Sequence, residues 1–277
     1  MKKLCLTAAI LMTAAASMAQ DHLPPVFGAD TALFRKDIMT RSYMTPKKIL
    51  WTSSATAVQN AELLLKPNTG QADIFGEGMC RLTNNGNDQA SLILDFGHEL
   101  HGGFKLVISS CSPLQTPQVR LRFGESVSET CSELNTTKSI AETGSKADVN
   151  LKANTATNDH AIRDMMLTVP FYGQMEVGST GYRFVRIDLL TPGQTINLKE
   201  ATAILRYRDI PYVGSFRCSD QRLNDIWMTG AYTVHLNMQE YIWDGVKRDR
   251  LVWLGDMHPE TTTISNVFGD NESFYAS

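Results

Sequence analysis

Short apolar or alternating stretches separated by turn residues fill most of the chain between residues 50 and 216. Five stretches are typical of β-strands: 91–95, 104–108, 119–123, 183–189 and 202–207. Many short strands with few helical stretches between them predict an antiparallel β-sandwich. Residues 130–159 interrupt this pattern, because they are rich in Ser, Thr, Asn, Ala and Lys and show little periodicity. They predict a long exposed excursion from the sandwich.

The hydrophobic period changes near Ser219. Ser219 and Asp220 form a good N-cap pair, and apolar or small residues then recur at spacings of three and four. These positions are Leu223, Ile226, Trp227, Gly230 and Val234. The pattern predicts an amphipathic helix that begins near 219–221 and opens a helical region.

The first residues have the pattern of a secretory signal peptide. Lys2 and Lys3 precede an apolar run over 4–16, and Ser17 and Ala19 supply the small residues of a cleavage site. We therefore expect a periplasmic or secreted protein. No later apolar run approaches the roughly 18 residues of a membrane span, so stable membrane insertion is not expected. The sequence thus divides into a signal peptide, a lead-in segment, the β-sandwich and a helical region at 1–19, 20–49, 50–216 and 217–277.

The composition is that of a globular protein. The 277 residues are 43% hydrophobic and 20% charged, with a formal net charge of −3, which suits about two domains. A mildly acidic balance gives no general attraction to nucleic acid. Export would permit disulfides, and their presence is left open because the spacing of the cysteines is wide and irregular. The four cysteines after the signal peptide are Cys80, Cys111, Cys131 and Cys218.

One stretch, residues 243–256 (WDGVKRDRLVWLGD), concentrates charged and aromatic side chains. Its charged residues are Lys247, Arg248 and Arg250 against Asp244, Asp249 and Asp256. Because these charges cancel, the stretch is not a phosphate-binding patch.

Two interpretations of this motif remain on the residues alone. In the first interpretation the motif is the solvent-exposed face of a helix that carries many charges, which is a common arrangement. Two features disfavour it: Gly245 weakens a helical turn, and Trp243 and Trp253 are unusual on a solvent-exposed face. In a carbohydrate site, carboxylates and guanidinium groups bind hydroxyls, and tryptophan packs on the C–H face of a sugar. Glycoside hydrolysis additionally needs one carboxylic acid to protonate the leaving oxygen and a second carboxylate to activate water or attack.

The motif resembles the catalytic signature of bacterial α-L-rhamnosidases of glycoside hydrolase family 78, which are inverting enzymes. Four other stretches are similar to that family, in the same order along the chain: Leu94–Gly97 with Gly102-Gly103, Val119–Glu125, Gly181–Arg186 and Gly214–Trp227. The resemblance implies a β-sandwich followed by the first helices of an (α/α) six-hairpin toroid.

The resemblance also implies a role for each residue of the motif. Asp249 falls at the position of the general acid. Three residues fall where groups hold rhamnose hydroxyls, and these are Asp244, Arg248 and Asp256. Trp253 falls where an aromatic wall meets the sugar. The chain departs from the family at Gly245-Val246, where Cys-Pro is frequent, and at Asp249, where glutamate is common.

The implied activity is hydrolysis of terminal α-L-rhamnosyl linkages in glycans or glycosides, with no cofactor and no metal. The family's general base is a downstream glutamate that we expect beyond residue 277, so the chain is expected to end early in the toroid. Glu260 and Glu272 do not match the position of the base. For Glu260 and His258, a loop role is favoured over shaping the mouth of the site. The alternative is a carbohydrate-binding β-sandwich protein without catalysis, or an inactive fragment that lacks the base.

His98 and His101 are a weaker candidate pair. Their i,i+3 spacing differs from the helical i,i+4 spacing of zinc proteases, and they lie in a strand-and-turn context. No metal site is predicted there.

Overall fold

A computed structural model describes residues 26, 37, 39–74, 77–131, 164–247 and 249–269. The chain divides into two compact units, Met1–Asp37 and Ile38–Ser277. The elements below all belong to the second unit. The predicted signal peptide, most of the predicted excursion and Arg248 lie outside the described residues.

Nine strands form the sheet of the described chain, and every pairing is antiparallel. They are β1 Thr40–Met44, β2 Lys48–Thr52, β3 Val58–Gln59, β4 Cys80–Asn84, β5 Ser91–Ser112, β6 Gln118–Gly124, β7 Asp164–Thr168, β8 Gly173–Leu189 and β9 Gln194–Tyr207. Their order is β3-β4-β9-β5-β8-β6-β7, while β1 pairs with β9 and β2 pairs with β5. The predicted dominance of antiparallel strands before residue 216 is confirmed.

Strand formation begins ahead of residue 50, since β1 and the start of β2 lie within the predicted lead-in segment. The predicted strands 91–95 and 104–108 are parts of the single strand β5, whose pairing shifts register between Gly102 and Phe104. Gly102 has φ +147°, and a Cβ atom there would lie 1.9 Å from the Ile204 carbonyl oxygen. Glycine is therefore required where the backbone of β5 approaches β9 this closely.

Aromatic side chains form the centre of the core. Phe96, Phe104, Phe123 and Tyr182 are buried and meet edge to face, with ring centroids 5.0 to 6.2 Å apart. Such pairs contribute about 0.5–1.5 kcal/mol each beyond their area burial. This core fixes the sheet on which the helices rest.

The helical elements are a 3-10 helix at Ala61–Leu65, α1 at Val127–Cys131, α2 at Gln221–Asn237 and α3 at Leu254–Val267. The predicted start of α2 is confirmed, because the Asp220 side chain accepts a hydrogen bond from the Arg222 N–H at 2.9 Å. No helix of the described residues combines the length and the apolarity needed to cross a membrane.

The predicted apolar face of α2 is only partly correct. Leu223 and Ile226 are exposed, whereas Ala231 and Leu236 in the second half of the helix are buried. The reason is that the cluster α2 forms with α3 lies beside its C-terminal half and includes Ile264.

All four described cysteines are free thiols. Burial raises the pKa of the Cys80 thiol to about 12 and that of Cys111 to about 11. Both thiols are therefore protonated and unreactive at neutral pH.

Candidate active site

The charged motif forms a loop between α2 and α3. Two hydrogen bonds close it: the Asp244 N–H donates to the Leu251 carbonyl at 2.9 Å, and the Leu251 N–H donates to Asp244 Oδ1 at 3.1 Å. Residues 243–253 form no helix in their described part. The interpretation of the motif as a charged helix face is therefore wrong, because the side chain of Asp244 closes a loop instead.

Two basic residues of the loop contact the helix α1 and the sheet. Lys247 Nζ lies 2.6 Å from Glu129 Oε1 on α1, and Arg250 Nη1 donates to the Ser179 carbonyl of β8 at 2.9 Å. Arg250 adopts a left-handed backbone with φ 52°, a conformation that costs a non-glycine residue energy and persists only where the surrounding contacts hold it. Asp249 lies between the two anchored residues and is half-buried.

His101 supports the start of the loop. Its buried ring lies edge to face with Trp243, at a centroid distance of 5.2 Å, and its Nδ1 lies 3.2 Å from the Val246 carbonyl oxygen. Burial lowers the pKa of His101 to about 4, so the ring is neutral at pH 7. Since a carbonyl oxygen only accepts, this contact places the hydrogen on Nδ1.

The other predicted site residues lie in the loop and at the start of α3. Asp244 is half-buried, Trp253 is 50% exposed at the N-cap of α3, and Asp256 is exposed in the first turn of α3. Arg248 lies outside the described residues. The structure thus places Asp244, Asp249, Trp253 and Asp256 on one loop and the helix turn that follows it.

Glu260 is an acidic residue for which the sequence favoured a loop role over shaping the mouth of the site. It lies within α3 and is buried, which corrects the expected loop position of Glu260 and His258. Burial, together with the charges of Asp256 and Asp244, raises the pKa of the Glu260 carboxyl to about 7. Its i,i+4 spacing from Asp256 was the signal available in the sequence.

A cavity of about 920 Å³ lies between the sheet, α2 and the loop. Its polar lining includes Glu99, Glu125, Tyr232, Asp244 and Lys247. The Tyr232 hydroxyl donates to the Glu99 carbonyl at 2.7 Å, which fastens α2 to β5. Burial and the hydrogen-bonded Glu125 carboxyl raise the pKa of Glu99 to about 8. The volume is in the range of small-molecule sites, and Asp244 borders it.

Comparison with known families and structures supports the resemblance predicted from the sequence. Residues 211–277 match the model of the bacterial alpha-L-rhamnosidase 6 hairpin glycosidase domain. No curated protein sequence matches the chain.

Two solved structures share the fold over most of the chain. A rhamnosidase from Klebsiella oxytoca with rhamnose bound is 18% identical, with a TM-score of 0.59 over 84% of this chain and 42% of that one. A family 78 rhamnosidase of Bacillus sp. GL1 is also 18% identical, with a TM-score of 0.54 over 79% of this chain and 19% of that one. The chain thus spans less than half the length of either relative, and the expected resemblance to family 78 rhamnosidases is confirmed.

Proposed function

We propose that this protein is an α-L-rhamnosidase-type glycoside hydrolase that cleaves terminal α-L-rhamnosyl linkages with inversion and without a cofactor. The observation that carries the proposal is the position of the family match. Residues 211–277 contain the whole anchored loop and the first turn of α3. The proposal includes the architecture of a β-sandwich followed by the first helices of an (α/α) toroid. The sandwich was predicted over residues 50–216, and β1 extends its start to Thr40.

Asp249 is the general acid in this proposal. Hydrolysis requires the leaving oxygen to be protonated while the bond to the sugar breaks. A proton donor must hold a fixed position relative to that oxygen. The contacts of Lys247 with Glu129 and of Arg250 with Ser179 fix the loop on both sides of Asp249, which supports this role.

The neighbouring residues bind the sugar. Asp244 and Asp256 present carboxylates that accept hydrogen bonds from hydroxyl groups, and Arg248 is assigned to the same task by resemblance. The half-exposed indole of Trp253 offers a flat apolar surface to the C–H face of rhamnose. In an inverting reaction a second carboxylate activates water on the opposite face of the ring. The assignment of that base to a glutamate outside this sequence stays a prediction.

A carbohydrate-binding protein without catalysis is the competing hypothesis. It would place the ligand on the sheet rather than on the loop between α2 and α3. The family match favours the hydrolase, because it falls on the helical segment and leaves the sheet unmatched. We also propose export through the signal peptide at 1–19, on the basis of its residue pattern.

The test is release of rhamnose by the purified protein together with the downstream segment that is predicted to supply the general base. We expect release from an aryl α-L-rhamnoside and no release from the matched aryl β-D-glucoside. Binding of rhamnose without release would support the carbohydrate-binding alternative. If the protein neither binds nor releases rhamnose, the proposed function is wrong.

A further inference from the structure

The cavity between the sheet, α2 and the loop has room for more than the groups assigned to the active site. Its volume is about 920 Å³. Phe96, Leu100 and Leu236 are buried in its wall, whereas Lys47 is exposed at its edge. Of the described residues assigned to catalysis or sugar binding, Asp244 alone lines it. The cavity is therefore examined as a binding site in its own right, with a largely apolar wall.

Three hydroxyl groups of α2 line this cavity with their hydrogens already used inside the protein. The Thr229 and Thr233 hydroxyls donate to the carbonyl groups four residues earlier, both at 2.8 Å. The Tyr232 hydroxyl donates to the Glu99 carbonyl at 2.7 Å. Each of the three oxygens can therefore only accept a hydrogen bond from a ligand.

An acceptor without a partner stands in the same wall. Asn237 follows Thr233 by one turn of α2, lines the cavity and is 8% exposed. Its side-chain oxygen Oδ1 is buried and has no hydrogen-bond partner among the described residues. Because an unpaired buried polar atom costs free energy, a donor group in the cavity would stabilise this side chain.

Two carboxyl groups give the sheet side of the cavity a negative charge. Glu99 and Glu125 both line it and are hydrogen-bonded to each other. Such a pair shares one hydrogen, so it keeps roughly one negative charge, and its hydrogen is also used inside the protein. Burial and the Glu125 carboxyl raise the pKa of Glu99 to about 8, which keeps the shared hydrogen in place at neutral pH.

The basic groups around the cavity leave this charge largely unopposed. Lys247 Nζ lies 2.6 Å from Glu129 Oε1, so its charge is balanced by a buried partner. Arg183 donates to both carboxylate oxygens of Asp95, at 2.8 and 2.9 Å. The remaining basic residues of the lining, Lys47 and His98, are exposed to solvent. The half-buried Asp244 adds a further carboxylate.

We propose that this cavity binds a primary ammonium ion attached to an apolar body. An ammonium group has three N–H donors and no acceptor, which matches the accepting oxygens of α2 and the charge of the Glu99–Glu125 pair. The apolar body packs on the wall that contains Phe96 and Leu236. A neutral sugar fits this cavity less well, because its hydroxyl groups also accept and would compete for the few donors at the exposed edge. The inference does not depend on the hydrolysis of rhamnosides.

The experiment is calorimetric titration of the full chain with phenethylamine and with phenethyl alcohol. The amine is cationic at about pH 7, as a lysine side chain is, whereas the alcohol is a neutral molecule of nearly the same shape. We expect saturable binding of the amine and at least about tenfold weaker binding of the alcohol, because hydrogen bonds from a charged donor are the stronger ones.

Asn237→Leu removes the unpartnered acceptor and keeps a side chain of similar size, so the affinity for the amine should fall about 5- to 10-fold. Asn266→Leu is the matched control, since Asn266 is exposed on α3 and donates to the Thr262 carbonyl of the same helix. It should bind the amine as the wild type does. Thr233→Trp, at an exposed position of α2, fills the cavity without touching the core and should abolish binding.

The carboxyl pair is tested by one single and one double variant. In Glu99→Gln an amide hydrogen replaces the shared hydrogen and Glu125 keeps the charge, so the affinity for the amine should change less than about threefold. The double variant Glu99→Gln, Glu125→Gln removes the charge, and its affinity should fall at least about tenfold. Glu62→Gln, at an exposed position of the 3-10 helix, should bind as the wild type does.

Three results would overturn the inference. The first is absence of saturable binding of phenethylamine, which would mean that the cavity holds only water. The second is equal affinity for the amine and the alcohol. The third is wild-type affinity for the amine in Asn237→Leu, in Thr233→Trp or in the double carboxyl variant. The proposed hydrolase function would stand in each case, because its test uses a rhamnoside.

Discussion

Lys247 and Glu129 form an ion pair in which the two side chains are only 5% and 1% exposed. Glu129 Oε2 also accepts a hydrogen bond from the Glu125 N–H at 2.7 Å. The pair therefore joins the motif loop to the segment that follows β6. It determines where the next residues of the loop, including Asp249, lie relative to the sheet.

Removal of one partner of the Lys247–Glu129 pair should destabilise the folded protein. Lys247→Met leaves the Glu129 carboxylate buried and uncompensated, and we expect it to lower the free energy of unfolding by about 3–5 kcal/mol. The double variant Lys247→Met, Glu129→Met should recover much of this loss. Urea unfolding measures both.

Arg41→Met is the matched control, because the Arg41–Glu176 pair has side-chain exposures of 49% and 35%. Its loss should cost less than about 1 kcal/mol. A Lys247→Met variant as stable as Arg41→Met would contradict the anchoring role of the buried pair.

Local patterns predicted the elements that depend on local residues. Alternation along 119–123 predicted β6, and the capping side chain of Asp220 predicted the start of α2. The pairing of Lys247 with Glu129 was not predictable, because the two residues are far apart in sequence and meet only when the loop packs on α1. The burial of Glu260 likewise depends on how α3 packs beside Ile242, which no local pattern records.

A second prediction concerns Gly214, where the chain passes the end of α3. A Cβ atom at Gly214 would lie 1.9 Å from the Asn266 carbonyl oxygen, while the Val213 and Gly214 N–H groups both donate to the Val267 carbonyl. Gly214→Ala must displace this contact, so we expect a loss of about 1–3 kcal/mol in the free energy of unfolding.

Gly230 is the matched comparison, because it lies within α2 and a Cβ atom there meets nothing within 4 Å. Gly230→Ala should stabilise the chain by about 0.5–1 kcal/mol through helix propensity. Thermal unfolding of the two variants should shift in opposite directions. If both variants shift in the same direction, the close contact between Gly214 and the end of α3 is not present.

A third prediction follows from Glu99. Its pKa is raised in the folded protein to about 8 by burial and by Glu125, so the folded state binds a proton that the unfolded state has lost above about pH 4.3. The free energy of unfolding should therefore fall as the pH rises from about 4.3 to about 8. We expect Glu99 to account for about 1–3 kcal/mol of this fall. This is less than the full pKa shift would give, because Glu99 is only half-buried and solvent screens its charge.

Glu99→Gln removes the titrating group and should flatten this part of the stability profile. Glu62→Gln should leave the profile unchanged. Urea unfolding at a series of pH values tests this, and an unchanged slope in Glu99→Gln would contradict the assignment.

A fourth prediction concerns Asp249. Asp249→Asn keeps the shape of the side chain and removes the transferable proton, so the rate on natural rhamnosides should fall about 10²–10⁴-fold. Aryl rhamnosides with good leaving groups need less protonation and should lose less. Equal losses on both substrates would assign Asp249 to sugar binding, and a wild-type rate would remove it from the site.

The most direct test of the proposed function is proton nuclear magnetic resonance of an aryl α-L-rhamnoside during its hydrolysis by the protein that includes the predicted downstream base. An inverting rhamnosidase releases the β-anomer of L-rhamnose first, and the α-anomer appears only later through mutarotation. We predict that the β-anomeric signal rises first and that Asp249→Asn slows its appearance. Initial release of the α-anomer, or no rhamnose at all, would contradict the proposed reaction.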